Sequence, residues 1–129
     1  MRKTADAIIP VLAVATAIGA MLVASSAEAV GDATAGQQVF ARCTACHSTT
    51  AGENKIGPSL AGVFGRKSGS EPGYTYSPAL KAANITWDEH TLDQFLANPP
   101  AAVHGTRMFI NVPAAADRQN VISYLETLK

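Results

Sequence analysis

Residues 40–49, FARCTACHST, hold both cysteines of the 129-residue chain and one of its three histidines. Cys43 and Cys46 are three positions apart, and His47 follows directly. On a helical turn, residues at this spacing lie on one face. The C-x-x-C-H pattern predicts a covalently attached c-type haem, in which each thiol adds to one vinyl group and the imidazole binds the iron.

Three other uses of the two cysteines fit less well. A disulfide would be ordinary in an exported protein, but it would close a very small loop and stabilise little. A thioredoxin-like redox centre lies within a βαβ pattern, and no strand pattern precedes Cys43. Structural zinc takes four protein ligands, and the chain has no second cysteine pair. Haem attachment is therefore the favoured interpretation.

With His47 on the iron, one axial position needs a second ligand, and the candidates are Met108, His90 and His104. Met108 is the only methionine after residue 29, and it lies in HGTRMFI (104–110), a loop that follows the helix-stopping NPP (98–100). His90 has acidic neighbours, which indicates a solvated surface position. His104 stays open as an alternative ligand or a pH-sensitive neighbour.

Residues 1–29 have the three parts of a secretory signal. Arg2 and Lys3 give a positive start, the apolar run AIIPVLAVATAIGAMLVA follows, and SSAEA ends the segment with small residues. Cleavage after Ala29 would leave residues 30–129 as one domain. The alternative is an uncleaved membrane anchor, because the apolar run is near the length that spans a bilayer.

The rest of the chain predicts an all-α fold with three main helices, one short helix and no strand. The main helices are expected at 33–44, 86–98 and 114–128, and the short one at 77–83. The second should start with a capping box in TWDE, in which Thr86 is the N-cap and the Glu89 side chain bonds back to the Thr86 backbone. The short one should start at Ser77 with Pro78 in its first turn. Val121, Ile122, Leu125 and Leu128 form one stripe of the last helix.

A long Gly- and Pro-rich segment, NKIGPSLAGVFGRKSGSEPGYTY (54–76), separates the first helix from the rest. Loops of this length are uncommon in a compact domain unless they are functional or disordered. Its apolar residues argue against disorder and need a surface to pack on: Ile56, Leu60, Val63, Phe64, Tyr74 and Tyr76. A haem supplies such a surface and enlarges the core of a small domain.

Several segments, in the same order, make the chain similar to the class I cytochromes c, near the mitochondrial and bacterial c2-type branch. They are GDATAGQQVFARCTACH (31–47), NKIGPSLAGVFGRKSG (54–69), GYTYSPAL (73–80), ITW (85–87), GTRMF (105–109) and VISYL (121–125). The resemblance covers essentially all of residues 30–129. It implies a small cytochrome c fold wrapped around one covalent haem c.

The resemblance also implies roles for individual residues. Cys43 and Cys46 would carry the thioether links, His47 and Met108 would be the axial ligands, and the carbonyl of Pro58 would accept a hydrogen bond from His47. The positions that surround the haem propionates in the family are Arg66, Gly69, Tyr76, Trp87 and Thr106. Gly36 and Phe40 would meet Tyr124 where the first and last helices cross.

Three positions depart from the family pattern. Phe95 stands where the family usually has a tyrosine that reaches the axial methionine, so we expect a somewhat lower potential. Leu80 replaces an amide of an interior water network. His104 replaces a proline, which makes the segment before Met108 less rigid.

With both axial positions filled, the resemblance implies a soluble, monomeric, periplasmic one-electron carrier in a bacterium, not an enzyme. The alternative is a haem peroxidase or gas-binding sensor that releases Met108 and uses His104 as a polar group beside the iron. The expected partners are redox complexes of respiratory or photosynthetic chains: a quinol-cytochrome c reductase, a cytochrome c oxidase, a reaction centre or a periplasmic dehydrogenase.

Charge limits these partnerships. Removing Arg2, Lys3, Asp6 and Glu28 from ten basic and ten acidic residues leaves eight of each. Nucleic-acid binding is therefore unsupported, and stable membrane insertion is not expected once the leader is cleaved. The family's ring of lysines keeps only Arg42, Lys55 and Arg107 here, so electrostatic steering should be weak. Apolar contacts such as Ile110 and Val112 should contribute more.

Overall fold

The computed structural model describes residues 31–129, so the predicted leader at 1–29 lies outside the described residues. Within this range the fold is helical and has no strand; one isolated antiparallel bridge joins Lys67 to Thr86. The helices are α1 (Ala33–Phe40), α2 (Pro78–Ala82), α3 (Glu89–Ala97), α4 (Pro99–Ala102) and α5 (Ala115–Glu126). The all-α prediction is confirmed.

Helix α1 is shorter than predicted because the chain tightens before the cysteines. Asp32 caps it as expected, and its carboxylate accepts hydrogen bonds from the backbone of Thr34 (2.8 Å) and Ala35 (3.3 Å). The α-helical pattern ends at Phe40, and a 3₁₀ turn, Ala41–Cys43, follows. The prediction that α1 continues to residue 44 was therefore wrong, because a 3₁₀ turn replaces the last α-helical turn.

The predicted start of α3 was wrong by three residues. Its cap is Asp88, whose carboxylate accepts from the backbone of Thr91 at 2.8 Å, while the Thr91 hydroxyl accepts from the backbone of Asp88 at 2.9 Å. This is a capping box built on Asp88 and Thr91, not on Thr86 and Glu89. An Asp–Thr pair can bond the free backbone N–H groups at a helix start just as a Thr–Glu pair can, so the sequence allowed either capping box.

Helix α4 was not predicted. Asn98 ends α3 in an extended conformation, and its side chain then caps α4 by accepting from Ala101 N at 3.3 Å. The two prolines that stop α3 occupy the first turn of α4, where a missing N–H costs nothing. Helix α2 has its expected cap: Ser77 Oγ accepts from Leu80 N at 3.1 Å.

The first and last described helices cross at a glycine. A Cβ added at Gly36 would lie 1.9 Å from the carbonyl oxygen of Asn120, so α1 and α5 are in backbone contact there. Phe40 packs on Tyr124 beside the crossing, with ring centroids 5.2 Å apart. The expected meeting of Gly36 and Phe40 with Tyr124 is confirmed. Val121, Ile122 and Leu125 of α5 are buried as the stripe predicted, whereas its fourth member, Leu128, lies beyond the end of the helix and is half-buried.

Residues 44–77 contain no helix, and their backbone is tied to distant segments. Gly65 donates to the carbonyl of Trp87 (2.6 Å), Trp87 donates to Arg66 (2.9 Å), and Ser68 donates to Ile85 (2.7 Å). Val63 is buried, but Ile56 is 77% exposed. The loop is thus an ordered wrapping that encloses one side of a cavity.

Candidate haem site

A cavity of about 910 Å³ lies between the loop 44–77, the buried faces of α3 and α5, and the segment after α4. Its walls are mainly apolar, with Leu80, Trp87, Phe95, Val121 and Leu125 among them. The volume is near the upper end of the roughly 300–1,000 Å³ typical of small-molecule and cofactor sites.

The two thiols reach the cavity from the turn after α1. Cys46 N and His47 N both donate to the carbonyl of Cys43, at 3.1 and 2.9 Å, which keeps the chain in a tight turn. Both cysteines line the cavity and are half-buried. Burial raises the pKa of the Cys43 thiol above its ordinary value, and the positive charge of Arg42 opposes this.

The imidazole of His47 is held in one tautomer. Its Nδ1 lies 2.7 Å from the carbonyl oxygen of Pro58, which can only accept, so Nδ1 carries the proton and Nε2 keeps its lone pair. Burial lowers the pKa of His47, although the hydrogen bond to Pro58 opposes the shift. The ring is therefore neutral at pH 7, which is the form that binds a metal.

Gly57 packs directly on this ring. A Cβ added there would lie 2.4 Å from His47 Cε1 and 2.7 Å from Nδ1. The Gly57 backbone is fixed as well, because its N–H donates to Cys46 O at 2.7 Å and its carbonyl accepts from Lys55 N at 2.9 Å. The loop and the imidazole therefore fit only when this residue has no side chain.

The change Gly57→Ala is expected to lower the free energy of unfolding by about 1–3 kcal/mol, the usual cost of overpacking. The matched control is Thr49→Ala, an exposed residue of the same loop. Its effect should stay within about 0.5 kcal/mol, as is usual for surface substitutions. Urea unfolding of both variants measures the difference, and equal losses would contradict the assigned contact.

Met108 lies in the Met108 loop, residues 103–114, between α4 and α5. It is half-buried and lines the cavity, and its N–H donates to Thr106 Oγ1 at 3.3 Å. Arg107 donates to Thr75 O at 3.2 Å and so ties the loop to the segment before α2. His104 and His90 are exposed, and neither lines the cavity.

Four of the five residues assigned to the propionates line the cavity: Arg66, Tyr76, Trp87 and Thr106. Gly69 does not. It lies behind the wall, where an added Cβ would be 2.9 Å from Lys81 Cα in α2. In this structure Gly69 therefore packs the loop against α2 and does not face the cavity.

Arg66 is the charged group in this wall. Its guanidinium donates to Ser59 O (2.9 Å), Ala61 O (3.1 Å) and the Glu71 carboxylate (2.8 Å), while Nε is buried without a partner among the described residues. A buried N–H is costly unless it finds an acceptor. Tyr76 adds its hydroxyl, which accepts from Glu71 N at 3.1 Å, and burial raises the pKa of Tyr76.

These features fit a haem. The cavity offers an apolar enclosure for the macrocycle, two thiols for its vinyl groups, and nitrogen and sulfur ligands of the kind that haem iron takes in cytochromes c. The unpartnered Arg66 Nε supplies a donor for an acidic substituent. His47, Met108, Cys43 and Cys46 are thus the residues that could hold the group.

Three contributors were missed from the sequence. Gly57 and Glu71 lie in the segment 54–76. Gly57 packs on the His47 ring and Glu71 binds Arg66, and both contacts depend on the fold of the loop. Ser59 is fully buried and donates to Thr50 O at 2.7 Å, which closes the loop beside Pro58. A polar residue at Ser59 carried no signal of burial.

The chain is similar to known proteins of one family. The family model for cytochrome c matches residues 33–129. The chain is 48% identical to cytochrome c of Euglena viridis over 101 residues, which cover 77% of this chain and 99% of that one. It is 45% identical to cytochrome c2 of Rhodomicrobium vannielii over 113 residues, covering 85% and 90%.

A solved structure is similar as well. Cytochrome cH from Methylobacterium extorquens matches with a TM-score of 0.71 and 43% identity, covering 75% of this chain and 99% of that one. Identity well above 30% over most of both chains accompanies the same helical architecture. The chain belongs to the cytochrome c family.

Proposed function

We propose that the protein is a one-electron carrier with one haem c, attached through Cys43 and Cys46 and ligated by His47 and Met108. The observation that supports it best is that one cavity is lined by all four of these side chains. Haem c, when bound, supplies an iron that gains and loses a single electron, and a methionine ligand favours its ferrous form. Relatives named cytochrome c and cytochrome c2 support the same activity.

The residues of the chain then have distinct tasks. Pro58 and Gly57 fix the plane and tautomer of His47, so its Nε2 lone pair is available without rearrangement. The apolar walls exclude water, which reduces the solvent reorganisation that accompanies a change of charge. Arg66, backed by Glu71, holds positive charge at the cavity without exposing it. We assign Arg66, Tyr76, Trp87 and Thr106 to the propionates, and Gly69 to the loop behind them.

The polar group that the sequence suggested for the enzyme alternative does not lie at the cavity. A peroxidase or gas sensor needs a polar side chain beside the freed iron position, and His104 was the candidate. His104 is exposed and does not line the cavity. Both imidazole and thioether are present at the cavity, which favours a site closed to substrate.

Mass spectrometry and visible spectroscopy of purified protein test the proposal. We expect the mass of residues 30–129 plus one covalent haem, and a ferric spectrum with the weak absorption band of methionine-ligated iron. A colourless protein, or cysteines that are free or joined in a disulfide, would contradict the proposal. Rapid cyanide binding by the ferric protein, without the methionine band, would favour the enzyme alternative instead.

We further propose export to the periplasm with removal of residues 1–29, leaving a monomeric domain of residues 30–129. The charged, apolar and small-residue parts of this segment support it. Among residues 31–129, none of the helices has the length and apolar character needed to cross a bilayer. The mass measurement above also reports the mature N-terminus. Electron donors and acceptors would be redox complexes such as a quinol-oxidising reductase, a terminal oxidase, a reaction centre or a periplasmic dehydrogenase.

The surface for such partners differs from the sequence prediction in one residue. Val112 is 2% exposed, so it cannot contact a partner, and that expectation was wrong. Its side chain lines the cavity, and its N–H donates to Leu96 O at 2.8 Å, at the end of α3. The exposed apolar residues at the cavity mouth are Ile56 (77%), Phe109 (74%) and Ile110 (55%).

Electron transfer to a terminal oxidase is expected to respond weakly to salt. Between 0.01 and 0.15 M ionic strength the Debye length falls from about 30 to 8 Å, which removes long-range steering. Because basic and acidic residues are balanced, we expect the bimolecular rate to fall by less than about tenfold, the lower end of steering effects. Stopped-flow oxidation of the ferrous protein measures it, and a steeper fall would contradict apolar docking.

A further inference from the structure

The two ends of the Met108 loop are held in different ways. Before Met108 the hydrogen bonds within the loop are local: Thr106 N donates to Val103 O at 3.1 Å, and Met108 N donates to Thr106 Oγ1 at 3.3 Å. After Met108, Phe109 and Ile110 are exposed and give the chain little packing. The next firm attachment lies at Val112, which is buried against the end of α3.

Arg118 of α5 completes that attachment. Its Nη1 donates to two consecutive carbonyls of the loop, Val112 O at 3.1 Å and Pro113 O at 2.8 Å. Its Nε donates to the carboxylate of Asp93 in α3 at 2.7 Å. One guanidinium therefore joins α3, α5 and the end of the loop, and the rigid fork of donors allows all three contacts at once.

Apart from Val112 and the Arg118 contacts, the loop has few contacts at this end. Pro113 has no N–H to donate, and among the described residues the Asn111 side chain makes only a long contact, 3.4 Å, to Ala97 O. The Arg118 side chain is 14% exposed and Asp93 34% exposed, so the ion pair is partly shielded from water. An exposed ion pair alone would contribute little stability. The two hydrogen bonds to the loop carbonyls contribute more, because their donor is the charged guanidinium of Arg118.

We propose that Arg118, oriented by Asp93, is a positioning residue that fixes the end of the Met108 loop and thereby keeps Met108 at the cavity. The inference rests on the proposed function, in which Met108 is an axial ligand. Without the Arg118 contacts, the loop populates open arrangements more often, and an external ligand can take the place of Met108. The effect acts on the loop and not on the redox chemistry itself.

Imidazole binding to the haem-loaded ferric protein measures this population. Imidazole binds only when the loop is open. While the open arrangement is a minor one, the apparent affinity for imidazole rises in proportion to the fraction of open protein. For Arg118→Gln we expect about five- to thirtyfold tighter imidazole binding, the range that one lost anchoring contact typically gives. For Asp93→Asn, which keeps the carbonyl contacts and loses only the charge, about two- to fivefold is expected. Arg118→Lys should lie between them, since one ammonium cannot make all three contacts.

The matched control is Asp117→Asn. Asp117 precedes Arg118 on α5 and forms a long ion pair, 3.9 Å, with Arg42, but it does not contact the loop carbonyls. It should bind imidazole as the wild type does. Urea unfolding of every variant separates loop opening from general destabilisation, because a merely structural role would lower global stability and leave imidazole affinity unchanged.

The outcomes are distinct. If Arg118→Lys and Asp93→Asn bind imidazole as Asp117→Asn does, the positioning role is wrong and the proposed function stands. If Arg118→Gln does not fold, those two variants still decide the question. If the wild-type ferric protein has no methionine band before imidazole is added, the proposed ligand set fails and this inference fails with it.

Discussion

Replacing Met108 by alanine is expected to lower the midpoint potential of the haem-loaded protein on the order of 0.2 V, within the roughly 0.8 V that axial ligands span. The thioether favours ferrous iron, and alanine offers no donor in its place. Because Met108 is half-buried at the cavity, its loss also opens a path for external ligands. Spectroelectrochemical titration gives the potential, and carbon monoxide binding reports the open position.

Phe109→Ala is the control for this change. Phe109 is the next residue of the same loop and is 74% exposed, so its truncation disturbs the loop sequence without removing a ligand. Its potential should stay close to that of the wild type, and the methionine band should persist. A Met108→Ala protein that keeps both band and potential would assign the axial position to another side chain.

The change Gly36→Ala is expected to destabilise the haem-loaded protein by about 3 kcal/mol or more, at the upper end of overpacking costs. The added Cβ would meet the Asn120 carbonyl at 1.9 Å and Tyr124 Cβ at 2.9 Å. The first of these is backbone, so no side-chain rotation relieves it, and α1 must move away from α5. Alanine gains about 1 kcal/mol of helix propensity over glycine, which the clash exceeds.

For a domain of about 100 residues this loss corresponds to a melting temperature lower by about 12–24 °C. Gln37→Ala is the control, because Gln37 is exposed on the same helix. Its effect should stay within about 0.5 kcal/mol. Thermal unfolding followed by circular dichroism compares the two, and a Gly36→Ala protein as stable as Gln37→Ala would refute the close crossing.

Local chemistry explains why several features could be predicted from the sequence. The C-x-x-C-H pattern needs only neighbouring residues, so the thiols and His47 were identifiable without a fold. Ser77 and Asp32 were found as caps because capping depends on residues within one turn. The apolar stripe of α5 follows from helical periodicity. In contrast, the capping box of α3 was misplaced because two polar pairs in the same stretch satisfy the same rule.

Features that depend on distant segments could not be predicted in this way. Val112 was predicted to be a surface contact, but its side chain is buried beside the end of α3. Gly69 follows the family pattern yet packs on α2, away from the cavity. Arg118 belongs to no sequence motif, but it contacts Asp93, twenty-five residues earlier, and two loop carbonyls.

By itself, the sequence determined the haem-attachment motif, the all-helical class and the candidate ligands, because these depend on residue type, short spacing and periodicity. Only the tertiary structure decided how closely α1 approaches α5, which glycine lies on the His47 ring, and which side chains hold the Met108 loop. Those depend on distances of a few ångströms between segments far apart in the chain. Such distances are set by the packing of the whole domain.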